Sequence, residues 1–547
     1  MVSFPPAPPS RRAFLAGCGA LGAVLAGGAA ATAEAGATAD GATTDGGADG
    51  EADSGGAAVR RMRGLWIASV EHRDWPPAPG LSPERLRETF TEHLDAARAA
   101  GVNAVFVQIR PTADAFWPSP FEPWSQWLTG VQGRDPGFDP LAFMVAAAHA
   151  RGLAFHGWFN PYRIATHADP GALVPGHPAR RHPDWAVAYG GRLYYDPGMP
   201  AARAFVQRAV LDAVARYDLD GVHLDDYFYP YPVAGEDFPD GASFAAYGGA
   251  YAGTAGGRGD WRRHNVDLMI RELRDLVRAV RPQAAFGVSP FGVWRNASSD
   301  PAGSDTEAFQ SYDGVYADTR GWVRDGLLDY VAPQLYWHLG HPQADYGVLA
   351  RWWAAQTADG DTQLWIGQAA YKAGTAGQPA AWQDPAELSR HLALADGLPR
   401  IGGDILFGAR DLRADRLGSV SRLTADHWRR PALAPLLPRL AGGPAPARPV
   451  LRPYGDGLRV TAGAGAGLPA PFTYALRRSD DAAAATGNAT GNATGDAAGT
   501  AAVGVLTAVL PAGGDGLHRV PAAGAWYTAS ALDRAGRESP RSPAVRW

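Results

Sequence analysis

The 547 residues carry 50 Lys+Arg against 55 Asp+Glu, a net charge of −5, which excludes the strongly basic face that nucleic-acid binding requires. At 46% hydrophobic and 10% aromatic, with 18 Trp, the chain can build a large core and still line a cleft with rings. Cys18 is the only cysteine, so no disulfide forms within the chain.

Ser10-Arg11-Arg12-Ala13-Phe14-Leu15 is a twin-arginine export pattern, followed by an apolar stretch and small-residue cleavage sites at Ala31-Thr32-Ala33 and Ala33-Glu34-Ala35. Residues 1–35 are therefore expected to be an export signal. Leu15-Ala16-Gly17-Cys18 also fits a lipoprotein box. However, most of the apolar stretch follows Cys18, which disfavours a lipid anchor there. No other long apolar segment occurs, so a secreted or envelope-associated protein without a transmembrane span is expected. Residues 36–59, nearly all small or acidic, read as a disordered linker.

Eight short apolar runs follow: Arg63–Ser69, Ala104–Arg110, Ala154–Asn160, Gly221–Tyr227, Ala285–Phe291, Asp329–Trp337, Leu364–Tyr371 and Ile405–Arg410. Stretches with helical spacing, such as Pro83–Ala100 and Trp261–Val280, separate most of them. Eight strand-then-helix units predict an α/β fold, a (β/α)8 TIM barrel over residues 60–430. In that fold the chemistry lies where the strands end. The fourth run ends in two carboxylates and three aromatics, Asp225-Asp226-Tyr227-Phe228-Tyr229.

Strand alternation sorts the side chains into two faces. Val222 and Leu224 face the helices, which turns His223, Asp225 and Tyr227 inward. The same rule points Phe106, Gln108 and Arg110 inward, with His156, Trp158 and Asn160, and with Gln334 and Tyr336. Trp337 falls at the rim. Polar groups at such positions need partners or a ligand; for His156 the bland reading, a structural network, is the stronger. Trp124, Trp127, Trp294 and several tyrosines also fall in or near strand-end loops. Rings around central carboxylates suit sugars, whose C–H faces stack on aromatics while their hydroxyls take hydrogen bonds. The partner expected is a carbohydrate polymer, taken by a monomer without a cofactor. His223, Asp225 and Asp226 could in principle hold a divalent ion, but no metal-ligand spacing supports one, and none is expected.

Residues 431–449, rich in Pro, Ala and Leu, read as a connector. From 450 to 547 the pattern changes to alternation, as in Leu458-Arg459-Val460-Thr461, which predicts a small β-sandwich. Its end, from Ala525-Trp526-Tyr527 to Arg537-Glu538-Ser539, resembles the last strands of a fibronectin type III module. Residues 481–503 read as an insertion without a core.

Several long motifs match one family. They are Arg63-Gly64-Leu65-Trp66-Ile67-Ala68-Ser69-Val70 with Asp74-Trp75-Pro76, Gln108-Ile109-Arg110-Pro111-Thr112-Ala113-Asp114, and His156-Gly157-Trp158-Phe159-Asn160-Pro161-Tyr162-Arg163. Asp220 to Pro230, Ser289 to Asn296, Tyr316-Ala317-Asp318-Thr319-Arg320 and Pro333-Gln334-Leu335-Tyr336-Trp337 complete the set. Together they resemble the glycosyl hydrolase-like 10 family. The resemblance implies a TIM barrel in an exported or envelope-bound bacterial protein. It also implies hydrolysis of glycosidic bonds in cell-wall glycan, particularly peptidoglycan strands stripped of peptides. Such hydrolysis needs two carboxyl groups. Asp225 is expected as nucleophile or base. Asp318 is the first choice for the acid, with Asp226, Asp114 and Asp74 as rivals. Asp318 could instead cap a helix beginning near Thr319. Arg110, Asn160 and Gln334 are expected substrate contacts, with His156, His223, Trp158, Tyr227, Trp294, Tyr336 and Trp337 around them. A non-catalytic carbohydrate-binding protein, or a glycosidase on another polysaccharide, are the alternatives.

Overall fold

The computed structural model describes residues 59–481, 504–519 and 524–547. The expected export signal, all of the linker but its last residue and nearly all of the 481–503 insertion lie outside the described residues. The barrel strands are β1 (Met62–Ile67), β2 (Ala104–Arg110), β3 (Ala154–Phe159), β4 (Gly221–Leu224), β5 (Ala285–Val288), β6 (Tyr330–Val331), β7 (Gln363–Gln368) and β8 (Ile401–Phe407). Each pairs in parallel with its sequence neighbours, and β8 pairs with β1 to close the ring. The fold is a (β/α)8 TIM barrel, as the eight runs predict.

Several strands end earlier than the apolar runs. The sixth run spans Asp329–Trp337, yet its ladder stops at Val331. Pro333 has no N–H to give, and only single bridges at Gln334 continue the pairing. The fourth strand stops at Leu224, so Asp225 is the first residue beyond it.

Helices α1 (Pro83–Ala99), α2 (Pro140–His149), α3 (Pro200–Arg216), α4 (Gly257–Val280), α5 (Thr319–Arg324), α6 (Tyr346–Gln356), α7 (Glu387–Asp396) and α8 (Ser419–His427) surround the barrel. Their starts follow local chemistry. Ser82 accepts the Arg85 N–H at 3.3 Å and Pro83 occupies the first turn. Asp139 with Pro140 does the same for α2. Along α1 the buried Leu86, Phe90 and Leu94 recur every four residues, a stripe that can only face the barrel. Each such side chain is worth roughly 1.5–3 kcal/mol when fully buried.

Aromatic rings fill the barrel interior. Phe106 lies 4.4 Å from His156, and Tyr330 stacks on Trp365 at 4.1 Å. Two glycines make room for them. A Cβ on Gly221 would come within 2.2 Å of the His156 ring, and one on Gly287 within 2.3 Å of Tyr330. The loop from β3 to α3 carries a three-stranded antiparallel sheet (163–165, 192–195, 186–189), which strand counting did not anticipate.

Beyond the barrel, β9 (Val450–Tyr454), β10 (Gly457–Thr461) and β13 (Leu517–Arg519) form one sheet. Strands β11 (Thr473–Ser479), β12 (Val505–Pro511), β14 (Trp526–Leu532) and β15 (Val545–Arg546) form another. Leu451, Leu458, Val460, Tyr474, Leu476 and Tyr527 share a core of their own. This part docks where the barrel strands begin. Arg534 pairs with Asp218 at 2.5 Å and donates to His149 Nδ1 at 3.2 Å, while His149 Nε2 meets Asp220 at 2.7 Å. Among the described residues these contacts lie at the end of the barrel opposite the strand exits. Among the described residues no helix is long and apolar enough to cross a membrane.

Candidate active site

Asp225 and Asp226 stand side by side at the exit of β4, each with its own set of donors. Asp225 Oδ2 accepts from Asn160 Nδ2 at 2.6 Å and from Trp158 Nε1 at 3.1 Å, both from β3 or its end. Asp226 turns the other way. Its Oδ1 accepts from Gln334 Nε2 at 2.9 Å, its Oδ2 from the Tyr231 hydroxyl. Gln334 also donates to the Ser289 carbonyl at 2.9 Å, so it ties the exits of β4, β5 and β6 together.

Both carboxyls are almost fully enclosed, at 2% and 3% exposure. Burial, and then the negative charge of Asp226, pushes the Asp225 carboxyl well above the usual carboxylate range. Burial also lifts Asp226, to about 6, against the hydrogen bonds from Tyr231 and Gln334 that favour its charged form. Two buried carboxyls this close do not both ionise readily. Both shifts disfavour ionising the two carboxyls together, an arrangement that can both give and take a proton.

A chain of bonds fixes the pair. Asn160 Oδ1 accepts from Gln108 Nε2 at 2.8 Å, and Gln108 Oε1 accepts the Ser69 and Val70 amides at 2.7 and 3.1 Å. Arg163 brings a buried positive charge that acts on both aspartates, and it lies 5.5 Å from the Tyr227 ring. Below the pair, Trp66 Nε1 donates to His223 Nε2 at 3.0 Å. The proton of the neutral His223 ring then sits on Nδ1, facing the Tyr330 hydroxyl at 3.1 Å. Burial keeps both interior histidines uncharged, with His156 down to about 4.

A family model described as glycosyl hydrolase-like 10 matches residues 61–384. The chain belongs to the glycosyl hydrolase-like 10 family. Among curated relatives, "Glycosyl hydrolase YngK" of Bacillus subtilis is 48% identical over 395 residues, 72% of this chain and 76% of the relative. "Glycosyl hydrolase DigH" of Escherichia coli K12 is 42% identical over 366 residues, 63% of this chain and 82% of the relative. Among solved structures, the PgaB (BpsB) glycoside hydrolase domain from Bordetella bronchiseptica is 14% identical. That match covers 66% of this chain and 97% of the other with a TM-score of 0.43, too loose a likeness to bear on the reaction.

Within this glycosyl hydrolase-like 10 barrel the expected site residues separate into three groups. Asp225, Asp226, Trp158, Asn160 and Gln334 come together, with Tyr227 beside them, while the partly buried Tyr336 packs on Tyr371 and Phe407. A second group lies beneath the cleft. His156 and His223 are sealed in the barrel interior and bonded to Tyr330. His223 bonds to Trp66, Ser289 and Tyr330, not to the aspartates, and among the described residues no cluster of three metal-binding side chains occurs.

The third group is tied up in structural contacts, although Arg110 Nη1 also donates to the Asn160 carbonyl at the edge of the first group. Arg110 is fully buried, and its Nε and Nη2 bind Glu122 at 2.9 and 2.8 Å. A bulge between Gln108 and Arg110 breaks the alternation that pointed it inward. Asp318, the first choice for the acid, is the N-cap of α5. Its Oδ1 accepts from Gly321 N at 3.0 Å and Trp294 Nε1 at 2.9 Å. Trp294 is thereby held in the helical layer, where it stacks on Trp352. Trp337 packs edge-on against Phe291 and is 6% exposed. Of the rival acids, Asp74 accepts the Ala68 and Arg410 amides at 2.9 and 3.0 Å, and Asp114 binds Thr112 and the Gln126 amide at 3.0 and 3.2 Å. Both shape loops.

Sequence reasoning missed Arg163 as a site residue, because the small sheet that delivers it has no barrel periodicity. Tyr231 and Gln108 were visible as an aromatic and an inward polar residue, but not as partners of the acids.

Proposed function

We propose that this protein is an exported glycoside hydrolase acting on cell-wall glycan, in particular on peptidoglycan strands stripped of peptides. The observation that carries the reading is the Asp225–Asp226 pair, buried at a strand exit with a separate set of hydrogen-bond donors for each carboxyl. Asp225, whose pKa is raised further, protonates the leaving oxygen. Asp226 acts as nucleophile or as the base for water. This reverses the role expected for Asp225 from its position alone. Asn160 and Trp158 orient Asp225, Gln334 and Tyr231 orient Asp226, and Arg163 favours the charged state of the base.

Two relatives named glycosyl hydrolases support the reaction class. The twin-arginine pattern and small-residue cleavage sites of residues 1–35 support export. The three-stranded and four-stranded sheets of the C-terminal part support a fibronectin type III-like module. Docked away from the cleft, it serves as a spacer or a wall-adhesion unit.

Purified protein incubated with amidase-treated sacculi and with a panel of other polysaccharides, followed by mass analysis of the soluble products, tests the reading. Soluble oligosaccharides from the stripped glycan are expected, with turnover reduced about 10²–10⁴-fold in Asp225→Asn while glycan binding persists. Release from another polymer alone would move the substrate. No release from any polymer would leave a sugar-binding barrel.

A further inference from the structure

Lysine occurs once in this chain, at Lys372, and Arg supplies the rest of the 50 basic residues. Lys372 lies on the turn Ala370–Lys372 just after β7, at the same end of the barrel as the carboxyl pair. Its Nζ donates to the Tyr336 carbonyl at 2.7 Å. Tyr336 is two residues beyond Gln334, which holds Asp226. The rings of Tyr371 and Trp382 each lie 5.9 Å from Nζ. Tyr336 stacks on Phe407 at 6.1 Å, and Tyr371 stands edge-on to both at 5.7 and 5.8 Å. These rings make an aromatic wall on the β6–β8 side of the mouth.

The neighbouring cations are committed. Arg73 pairs with Asp74 at 3.1 Å and with Asp411. Arg416 pairs with Asp411 at 2.5 Å and donates to the Tyr371 and Ala373 carbonyls. Lys372 differs from them. Among the described residues no carboxylate lies within 4.0 Å of its ammonium. Burial lowers its pKa to about 8, with no acid to raise it. One of its three N–H donors is used within the chain. A partly desolvated cation without a counter-ion is costly, and a bound anion removes that cost.

We infer that Lys372 and the Tyr336 and Tyr371 rings, backed by the buried Phe407, form a subsite for a sugar that carries a carboxylate. The wall takes the apolar face of the ring and the ammonium takes the acid. This rests on the hydrolase reading above and specifies the sugar unit that reading leaves open. Peptide-stripped peptidoglycan offers such a group, because cleavage of the amide leaves a free lactyl acid on alternate sugars.

The test compares kcat/KM on three substrates: stripped strands, the same strands with their acids converted to primary amides, and a polyuronate of similar length. Each is measured with the parent protein, Lys372→Met and Lys372→Arg. The parent should prefer acid over amide strands by about tenfold or more, with the preference collapsing towards one in Lys372→Met and partly restored in Lys372→Arg. A Lys372-dependent preference for the polyuronate would keep the carboxylate subsite and place its source on the sugar ring. Equal loss on acid and amide strands, or an acid preference that survives Lys372→Met, would overturn the inference. If the parent cleaves nothing, the hydrolase reading fails by itself. Calorimetric binding of the acid and amide strands to the parent and Lys372→Met then decides the subsite by the same preference.

Discussion

Asp226 carries a measurable cost for the fold. A free aspartate titrates near 3.8, and burial raises this one to about 6. At 1.36 kcal/mol per pH unit the difference comes to about 3 kcal/mol. The sign follows from linkage. Because the folded value lies above the unfolded one, the contribution of this group to stability is complete below pH 3.8 and lost as the pH rises through about 6. Asp226→Asn keeps the shape and stays neutral, so it removes the loss. Well below pH 3.8 it should change stability little, and at pH 4.5 it should raise it by only about 1 kcal/mol. At pH 8 it should raise it by up to about 3 kcal/mol, and Asp225, freed from a like charge, adds in the same direction. Urea unfolding followed by tryptophan fluorescence at pH 4.5 and pH 8 measures this directly, with turnover assayed alongside. A variant more stable at pH 8 and inactive is the expected result, the familiar conflict between a site's chemistry and its stability. An equal offset at both pH values, or a variant weaker than the parent at pH 8, would refute the assignment of a strained, ionised Asp226.

Other predictions follow from the same geometry. The kcat/KM profile should fall as the pH drops through about 6, where Asp226 takes up a proton, and fall again on the alkaline side as Asp225 loses its own; a flat acid limb down to pH 4.5 would count against the pair. Glu122→Gln should cost about 3–5 kcal/mol in a denaturant titration, because it leaves the fully buried Arg110 guanidinium without its counter-ion. Asp318→Ala should cost about 1 kcal/mol through the lost helix cap and leave turnover close to the parent's. A collapse of turnover in that variant, with the fold intact by circular dichroism, would return Asp318 to the catalytic machinery.

What the sequence determined by itself was the repeating unit and the centre of the site. Eight apolar runs separated by helical stretches have one common closed arrangement, and the run ending at Leu224 has to deliver Asp225 to its mouth. Alternation also placed Gln108, His156, Trp158, Asn160 and His223 on the inner face, since one period-two rule governs every regular strand. That rule fails wherever the backbone departs from the pleat. The bulge after Gln108 leaves Arg110 buried between Glu122 and the Asn160 carbonyl, a local displacement that composition does not signal. The long-range pairings came only with the tertiary structure. Asp226 meets Gln334 across 108 residues, and Arg163 reaches the acids from a sheet inserted in a loop. The unequal upward shifts of the two acids likewise come from burial and from charges brought close in space, and these depend on the packed loops more than on the identity of the residues that carry them.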